Sequence, residues 1–255
     1  MDERACVMEA LRLAGSIILE NGGETYRVED TVERLGRALG AEDVQPFAVP
    51  SGVFITANFP DGSMSTKVYR ARSSGKHLKK VDEVNRISRL AAEGRIGTRE
   101  TLEALRAIKN EGPAYRLPLR VFANAASAGG FTAMFGGGWI DALIVFLSGA
   151  LIQLALEWCE KHNVSRVFES AGGGALCTLL PLVFNRLTGM GMIDAMTGGL
   201  LMPLVPGLPM TNAVQDAMRG DVLSGVGHGM QAVLTAVLVA GGGVAATRAL
   251  WMLLA

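Results

Sequence analysis

The segment Leu201–Asp221, "LMPLVPGLPMTNAVQDAMRGD", joins the most irregular apolar stretch of the chain to its most polar short helix. Three prolines fall within seven residues of the apolar part, and each removes a backbone donor and disfavours helix at the residue before it. The polar part predicts a short helix that starts at Thr211 or Asn212 and runs to Arg219, with Gly220 ending it. The sequence on either side decides whether this break lies in water or in a membrane.

Charge is distributed unevenly along the chain, although its net charge is zero. Residues 1–120 hold 36 of the 48 charged residues, whereas residues 121–255 hold 12 of them together with 21 of the 32 glycines. About a quarter of the residues in an ordinary soluble domain are charged, so the second part is strongly depleted. Uncharged runs account for the depletion, and they cover residues 121–140, 142–156, 170–185, 195–215 and 222–247.

These uncharged runs predict membrane-spanning helices. A span needs about 20 apolar residues, and charged ends that reach the headgroups lengthen a shorter run. Trp139 and Trp158 bound the second run, as an aromatic belt at the two interfaces would. A single short run also fits the buried core of a soluble enzyme, but five in succession favour a membrane. Residues 116–255 are therefore expected to form an all-α polytopic membrane domain of about five transmembrane helices.

The first 115 residues predict a soluble α+β domain with the element order ααβββαα. Apolar residues at helical spacing flank "ENGGET" (20–25), and Thr25 fits the N-cap of the second helix. Three β-rich stretches and two further helices follow: "VQPFAV" (44–49), "GVFITANF" (52–59), "MSTKVYR" (64–70), 76–92 and 98–110.

The predicted orientation places the N-terminal domain in the cytoplasm and the spans in the cell (inner) membrane. The N-terminus lacks the basic start and apolar core of a signal peptide. The excess of basic residues in the loops agrees with this orientation. Five basic residues fall inside and two outside, namely Arg116, Arg120, Lys161, Arg166 and Arg219 against Arg186 and Arg248. Five spans then put the C-terminus outside.

Three stretches of the chain carry a family resemblance: "NGGETYRVEDTVERLGRALG" (21–40), "KKVDEVNRISRLAAEGRIGTRETLEALRAI" (79–108) and "PGLPMTNAVQDAMRGDVLSG" (206–225). They resemble the threonine/serine exporter family, and with the pattern of spans the resemblance covers about residues 8–250. Long members of that family continue into a second set of spans, whereas this chain ends after the predicted five. The resemblance therefore implies the large subunit of a two-component exporter, whose partner is a small membrane subunit. A homo-oligomer is also possible.

The resemblance implies a small-molecule substrate that bears a carboxylate, either threonine and serine or a dicarboxylate such as succinate. A broken helix in a membrane exposes unpaired N–H groups at its new N-terminus, which suit a carboxylate. The candidate substrate-binding residues are Asn124, Thr211, Asn212, Asp216 and Arg219. The alternative is an amphipathic linker in which Asp216 and Arg219 merely pair at positions i and i+3.

Glu169, Asp216 and His228 are the candidates for a coupling proton, because acids and histidines near a membrane often exchange protons. Simpler interpretations remain open for each. Glu169 fits a solvated position at the membrane interface, and His228 and Asn124 fit hydrogen bonds to neighbouring helices.

Other classes of chemistry find little support. Cys6, Cys159 and Cys177 are scattered without a CxxC motif, so the sequence predicts no metal site and no disulfide framework. The glycine-rich segments lack the lysine of a phosphate-binding loop. We therefore expect no cofactor and no enzyme activity. The basic cluster at residues 70–80 predicts a solvated helix start rather than a nucleic-acid interface, because the domain is nearly neutral.

Two functions remain. The first is a secondary-active exporter subunit driven by protons or by the membrane potential. The second is a membrane-anchored scaffold or sensor whose soluble domain is the working part. An anchor needs only one or two spans and has no use for a span broken by three prolines.

Overall fold

The computed structural model describes residues 2–71, 75 and 77–254, so residues 72–74 and 76 of the basic cluster at 70–80 lie outside the described residues. The chain divides into two compact units. The first contains Met1–Ala114 and Leu208–Met230, and the second contains Tyr115–Gly207 and Gln231–Ala255.

The first unit contains the predicted order of elements in its N-terminal part. These are α1 (Glu3–Glu20), α2 (Thr25–Ala38), β1 (Asp43–Val49), β2 (Gly52–Asn58), β3 (Met64–Arg70), α3 (Leu78–Ala92) and α4 (Thr98–Asn110). Helix α1 is the centre of this unit, because its residues from Cys6 to Leu19 are almost all buried. It packs against α2, α3, α4 and the sheet, and it supplies more buried residues to this core than any other element does.

The three strands form an antiparallel sheet in the order β1-β2-β3. Alternation along β2 turns Val53 and Ile55 towards the core, as a sheet with one buried face requires. The opposite face exposes Phe47, Phe54 and Val68, which are cross-strand neighbours.

The second unit is entirely helical in its described residues. It contains α5 (Leu117–Met134), α6 (Trp139–Lys161), α7 (Arg166–Thr188), α8 (Ile193–Leu201) and a 3₁₀ turn (Met202–Leu204). Two further helices follow, α9 (Gly207–Met218) and α10 (Val222–Leu254), and α10 contributes residues to both units.

Within the described residues, α6, α7 and α10 are long and apolar enough to cross a membrane. A stripe of leucines on α6 is exposed, which suits contact with lipid: Leu143, Leu147, Leu151 and Leu154. Helix α5 falls outside this group, and the apolar helix at Ile193–Leu204 is shorter. The count of five spans therefore remains a prediction.

The break predicted at the prolines is present, but its details differ from the expectation. Helix α9 begins at Gly207, so Thr211 and Asn212 lie inside it and do not cap it. The predicted span at residues 195–215 is also divided, because the chain from Leu208 onward belongs to the first unit. The physical reason is that Asn212 and Asp216 find buried polar partners there, which lipid would not provide.

Helices α7 and α10 approach each other closely enough for backbone contact within the second unit. A Cβ atom built on Gly174 would lie 2.0 Å from the carbonyl oxygen of Val239, and one on Gly242 would lie 1.9 Å from that of Ala171. Small residues allow such contacts between membrane helices, whose association depends on close packing rather than on water exclusion.

Gly174→Ala is expected to destabilise the protein strongly, because overpacking against rigid backbone typically costs about 1–3 kcal/mol or more. Gly172→Ala is the matched control, since a Cβ on Gly172 meets no atom within 4 Å. Thermal unfolding in detergent measures both variants. Equal melting temperatures for the two would contradict the close contact between the helices.

Candidate functional site

The carboxylate of Asp216 on α9 is fully buried in the first unit and is held from two sides. The hydroxyl of Thr25, at the start of α2, donates a hydrogen bond to Asp216 Oδ1 at 2.9 Å. The Nδ1 atom of His228 on α10 lies 2.8 Å from Asp216 Oδ2. Of the residues that the structure describes, His228 is the only possible cation within 4.0 Å of this carboxylate.

The turn between α9 and α10 places Asp216 beside His228. Gly220 ends α9 with a positive φ of 88°, a backbone conformation that glycine adopts without strain. Asp221 then accepts a hydrogen bond from the backbone N–H of Ser224 at 3.0 Å, which stabilises the first turn of α10. The two helices therefore reverse direction tightly.

Two more polar contacts join this helical pair to the N-terminal part of the same unit. The amide of Asn212 donates to the backbone carbonyl of Gly22 at 3.2 Å, in the turn that precedes α2. The hydroxyl of Ser224 lies 3.4 Å from the carbonyl of Ala48, at the end of β1. The Thr25 hydroxyl also lies 3.3 Å from Asp221 Oδ2, so a single donor faces two carboxylates. We call Thr25, Asp216, Asp221 and His228 the buried polar cluster.

Glu29 brings a third carboxylate close to the cluster. Its Oε1 atom accepts a hydrogen bond from the backbone N–H of Ala48 at 2.9 Å. Burial raises the pKa of Glu29 above its ordinary value, and the negative charges of Asp221 and Asp216 act in the same direction against the Ala48 hydrogen bond. Glu29 therefore binds a proton at higher pH than an exposed glutamate does.

Arg219 does not join the cluster. Its guanidinium carbon lies 3.6 Å from the ring centroid of Tyr26, a cation–π contact at an exposed position. The predicted pairing of Asp216 with Arg219 is therefore wrong, because Asp216 pairs with His228.

The structure brings together some of the predicted site residues and separates others. Asn212, Asp216 and His228 lie in the first unit, where Asp216 contacts His228 directly. Thr211 is exposed on α9. Asn124 and Glu169 lie in the second unit, where Asn124 donates to Gln153 at 2.9 Å and Glu169 is half-buried in the first turn of α7.

Thr25, Glu29 and Asp221 are members of the site that the sequence did not identify as functional residues. Thr25 and Glu29 lie in the stretch at residues 21–40, which carries part of the family resemblance, and Asp221 lies in the stretch at 206–225. The sequence did contain one indication of this site. The two stretches that resemble the exporter family here lie almost 200 residues apart, and both are rich in short polar side chains. Only their contact in space shows what these side chains share.

The chemistry of the cluster suits proton binding. A buried carboxylate without a fixed cation is costly unless it is protonated or faces a protonated base. The imidazole of His228 and the carboxylate of Asp216 lie within hydrogen-bond distance, so one hydrogen can lie between the two side chains. The described residues contain no group of three or more His, Cys, Asp or Glu side chains that could hold a metal ion.

Residues 9–250 match the family described as "Putative threonine/serine exporter" (ThrE). This match spans nearly the whole chain. The chain belongs to this family. It is therefore an integral membrane protein of a transport family, in agreement with its long apolar helices.

Curated relatives divide into two kinds. The chain is 26% identical over 226 residues to the "Probable succinate transporter subunit YjjP" of Klebsiella aerogenes, covering 88% of this chain and 84% of that protein. The protein of the same name from Escherichia coli K12 is 25% identical, with 83% and 82% covered. The "Threonine/serine exporter" of Corynebacterium glutamicum is 22% identical over 94% of this chain but only 50% of its own length. No solved structure matches the chain.

These relatives carry the names of transporters and exporters, and none of these names is that of an enzyme. A scaffold or sensor is not the function that these names indicate.

Thr25→Val is expected to destabilise the buried polar cluster, because it removes the hydroxyl that donates to Asp216 Oδ1. Such a loss costs about 1–3 kcal/mol in a buried position. Thr66→Val is the control, since Thr66 is exposed and its hydroxyl lies 3.0 Å from that of Thr56 on the neighbouring strand. Chemical unfolding in detergent measures the difference, and equal stability of the two variants would argue against a buried hydrogen bond at Thr25.

Proposed function

We propose that this protein is the large subunit of a secondary-active exporter for small carboxylate-bearing metabolites. The substrates are threonine and serine or a dicarboxylate such as succinate, as the names of the relatives suggest for those proteins. Protons or the membrane potential drive the export.

The hydrogen-bonded pair of Asp216 and His228 is the observation that carries this proposal. Both side chains are buried, they lie 2.8 Å apart, and they can hold one proton between them. Uptake or loss of that proton changes the charge of a site that excludes water, so the surrounding contacts respond to it. This behaviour is what proton-coupled transport requires.

A small membrane subunit completes the proposed exporter. The relatives from Klebsiella aerogenes and Escherichia coli are named as transporter subunits and have nearly the length of this chain. The relative from Corynebacterium glutamicum is about twice as long in a single chain. We infer that a separate membrane subunit takes the place of the second half of the Corynebacterium glutamicum chain.

Asp216→Asn is expected to abolish the response of export to a pH gradient, because the amide keeps the shape of the side chain but cannot bind a proton. The assay is export of labelled succinate, threonine and serine from vesicles that contain both subunits, with an imposed pH gradient or an imposed potential. We expect the rate of export driven by the pH gradient to fall about tenfold or more. A tenfold change in rate corresponds to about 1.4 kcal/mol of activation free energy.

Asp82→Asn is the matched control for this experiment, since Asp82 is exposed on α3. Rates are normalised to folded protein in the membrane. An Asp216→Asn variant that keeps the full pH response at normal abundance would contradict proton coupling at this pair. A wild-type complex that moves none of the three solutes would contradict the proposed substrate class.

The proposed location is the cell (inner) membrane, with the N-terminal domain in the cytoplasm. Within the second unit, the turn after α5 and the turn after α7 lie at the same end. The backbone N–H of Met192 donates to Asp141 Oδ2 at 3.4 Å, and the N–H of Gly138 donates to the same oxygen at 3.0 Å. The turn between α6 and α7 therefore lies at the other end.

Cysteine labelling tests this orientation in a variant that lacks the native cysteines. Gly138→Cys and Thr188→Cys should label from outside the cell, and His162→Cys and Met218→Cys should label only after the membrane is permeabilised. All four positions are exposed. Labelling of His162→Cys and Thr188→Cys from the same side would exclude the proposed topology.

A further inference from the structure

Four polar side chains connect α5 and α6 in the second unit. Arg120 Nη1 lies 2.7 Å from Glu157 Oε1, in an ion pair whose two side chains are partly buried. The amide of Gln153 donates to Glu157 Oε1 at 2.9 Å, and the amide of Asn124 donates to Gln153 Oε1 at 2.9 Å. Arg120 and Asn124 lie four residues apart, as do Gln153 and Glu157, so each pair occupies one face of its helix. We call these four residues the polar ladder.

The guanidinium of Arg120 is not saturated by this arrangement. Its Nε atom is buried and has no hydrogen-bond partner among the residues that the structure describes. An arginine carries five N–H donors in a fixed planar fork, and a buried donor without an acceptor is costly. Within the ladder, Glu157, Gln153 and Asn124 therefore have hydrogen-bond partners, whereas one donor of Arg120 has none.

A carboxylate is the acceptor that matches the free edge of this guanidinium. Its two oxygens fit the parallel N–H groups of the arginine fork, and this pairing is strongest where water is excluded. Ionisable side chains among membrane helices commonly mark the path of a solute. The chemistry of Arg120 is thus that of a receptor for a small carboxylate.

We propose that Arg120 binds the carboxylate of the exported solute through its Nε edge, and that Glu157 holds the guanidinium in place between transport cycles. This inference rests on the proposed function, because it assumes a carboxylate-bearing substrate. Asn124 and Gln153 position Glu157 through the ladder. The site consists only of residues from the second unit.

A purely structural ladder is the competing interpretation. Polar side chains join membrane helices, and each such bond typically contributes about 0.6 to 2 kcal/mol. That role explains the amide-to-amide and amide-to-carboxylate bonds. It gives no account of an arginine whose Nε–H is buried without an acceptor.

Arg120→Lys separates the two interpretations. Lysine keeps the positive charge that pairs with Glu157, so the helices stay joined, but it lacks the Nε–H and the planar fork. Arg116→Lys is the matched control, because Arg116 is exposed one helical turn away. The measurement is equilibrium binding of labelled succinate, threonine and serine to the complete two-subunit protein in nanodiscs, with thermal unfolding of each variant measured in parallel.

We expect Arg120→Lys to weaken binding by about tenfold or more at an unchanged melting temperature, and Arg116→Lys to bind as the wild type does. Dimethyl succinate, which has no free carboxylate, should not compete. Wild-type affinity in Arg120→Lys, or competition by the dimethyl ester, would overturn the proposal. If the wild-type protein binds none of the three solutes, the proposed substrate class itself fails, which is a different result.

Glu157→Gln provides a second, independent measurement. It removes the carboxylate that competes for Arg120, so solute should bind at least as tightly as in the wild type. Glu160→Gln, one turn away and exposed, is its control. Weaker binding in Glu157→Gln at unchanged stability would contradict competition between the two carboxylates.

The composition of the nanodiscs distinguishes a solute from a lipid headgroup as the ligand of Arg120. Equal solute affinity in phosphatidylcholine alone and in a mixture with phosphatidylglycerol supports a solute site. Affinity that disappears when phosphatidylglycerol is added would assign Arg120 to the lipid phosphate and overturn the proposal.

Discussion

The carboxylate of Asp216 is removed from water and is held by the hydroxyl of Thr25 and the imidazole of His228. Burying a charge without a partner is among the most unfavourable events in folding, so the folded state requires these contacts. They explain why α9 and the start of α10, which follow a long apolar stretch, belong to the same compact unit as the N-terminal residues. One buried carboxylate therefore determines that a distant segment of the chain packs with the N-terminal residues.

The second unit depends on a different constraint. Its helices have exposed apolar surfaces and cannot be held together by the exclusion of water, so they associate through small residues and a few polar bonds. Gly174 and Gly242 bring α7 and α10 to backbone contact, and the polar ladder links α5 to α6. A side chain at either glycine would collide with the backbone of the facing helix, so these two positions require glycine.

Each unit contains a feature that the proposed function uses. The first contains the buried Asp216–His228 pair, and in the second the Nε atom of Arg120 has no hydrogen-bond partner among the described residues. Helix α10 contributes to both units, with His228 in its early turns and Gly242 further along.

The sequence by itself determined the presence of long apolar helices, the order ααβββαα of the first elements and the break at the prolines, because these depend on local spacing, turn residues and backbone geometry. It also selected Asp216 and His228 as candidates, since a charged or titratable side chain beside an apolar run is visible in one dimension, and the structure brings these two side chains into contact. It misplaced the start of α9 and treated Thr25 only as a helix cap, whereas the structure gives its hydroxyl to Asp216, 191 residues away. The partners of Asn124 and Arg120 were equally hidden. Such pairings depend on which helix faces which, and only the tertiary structure decides that.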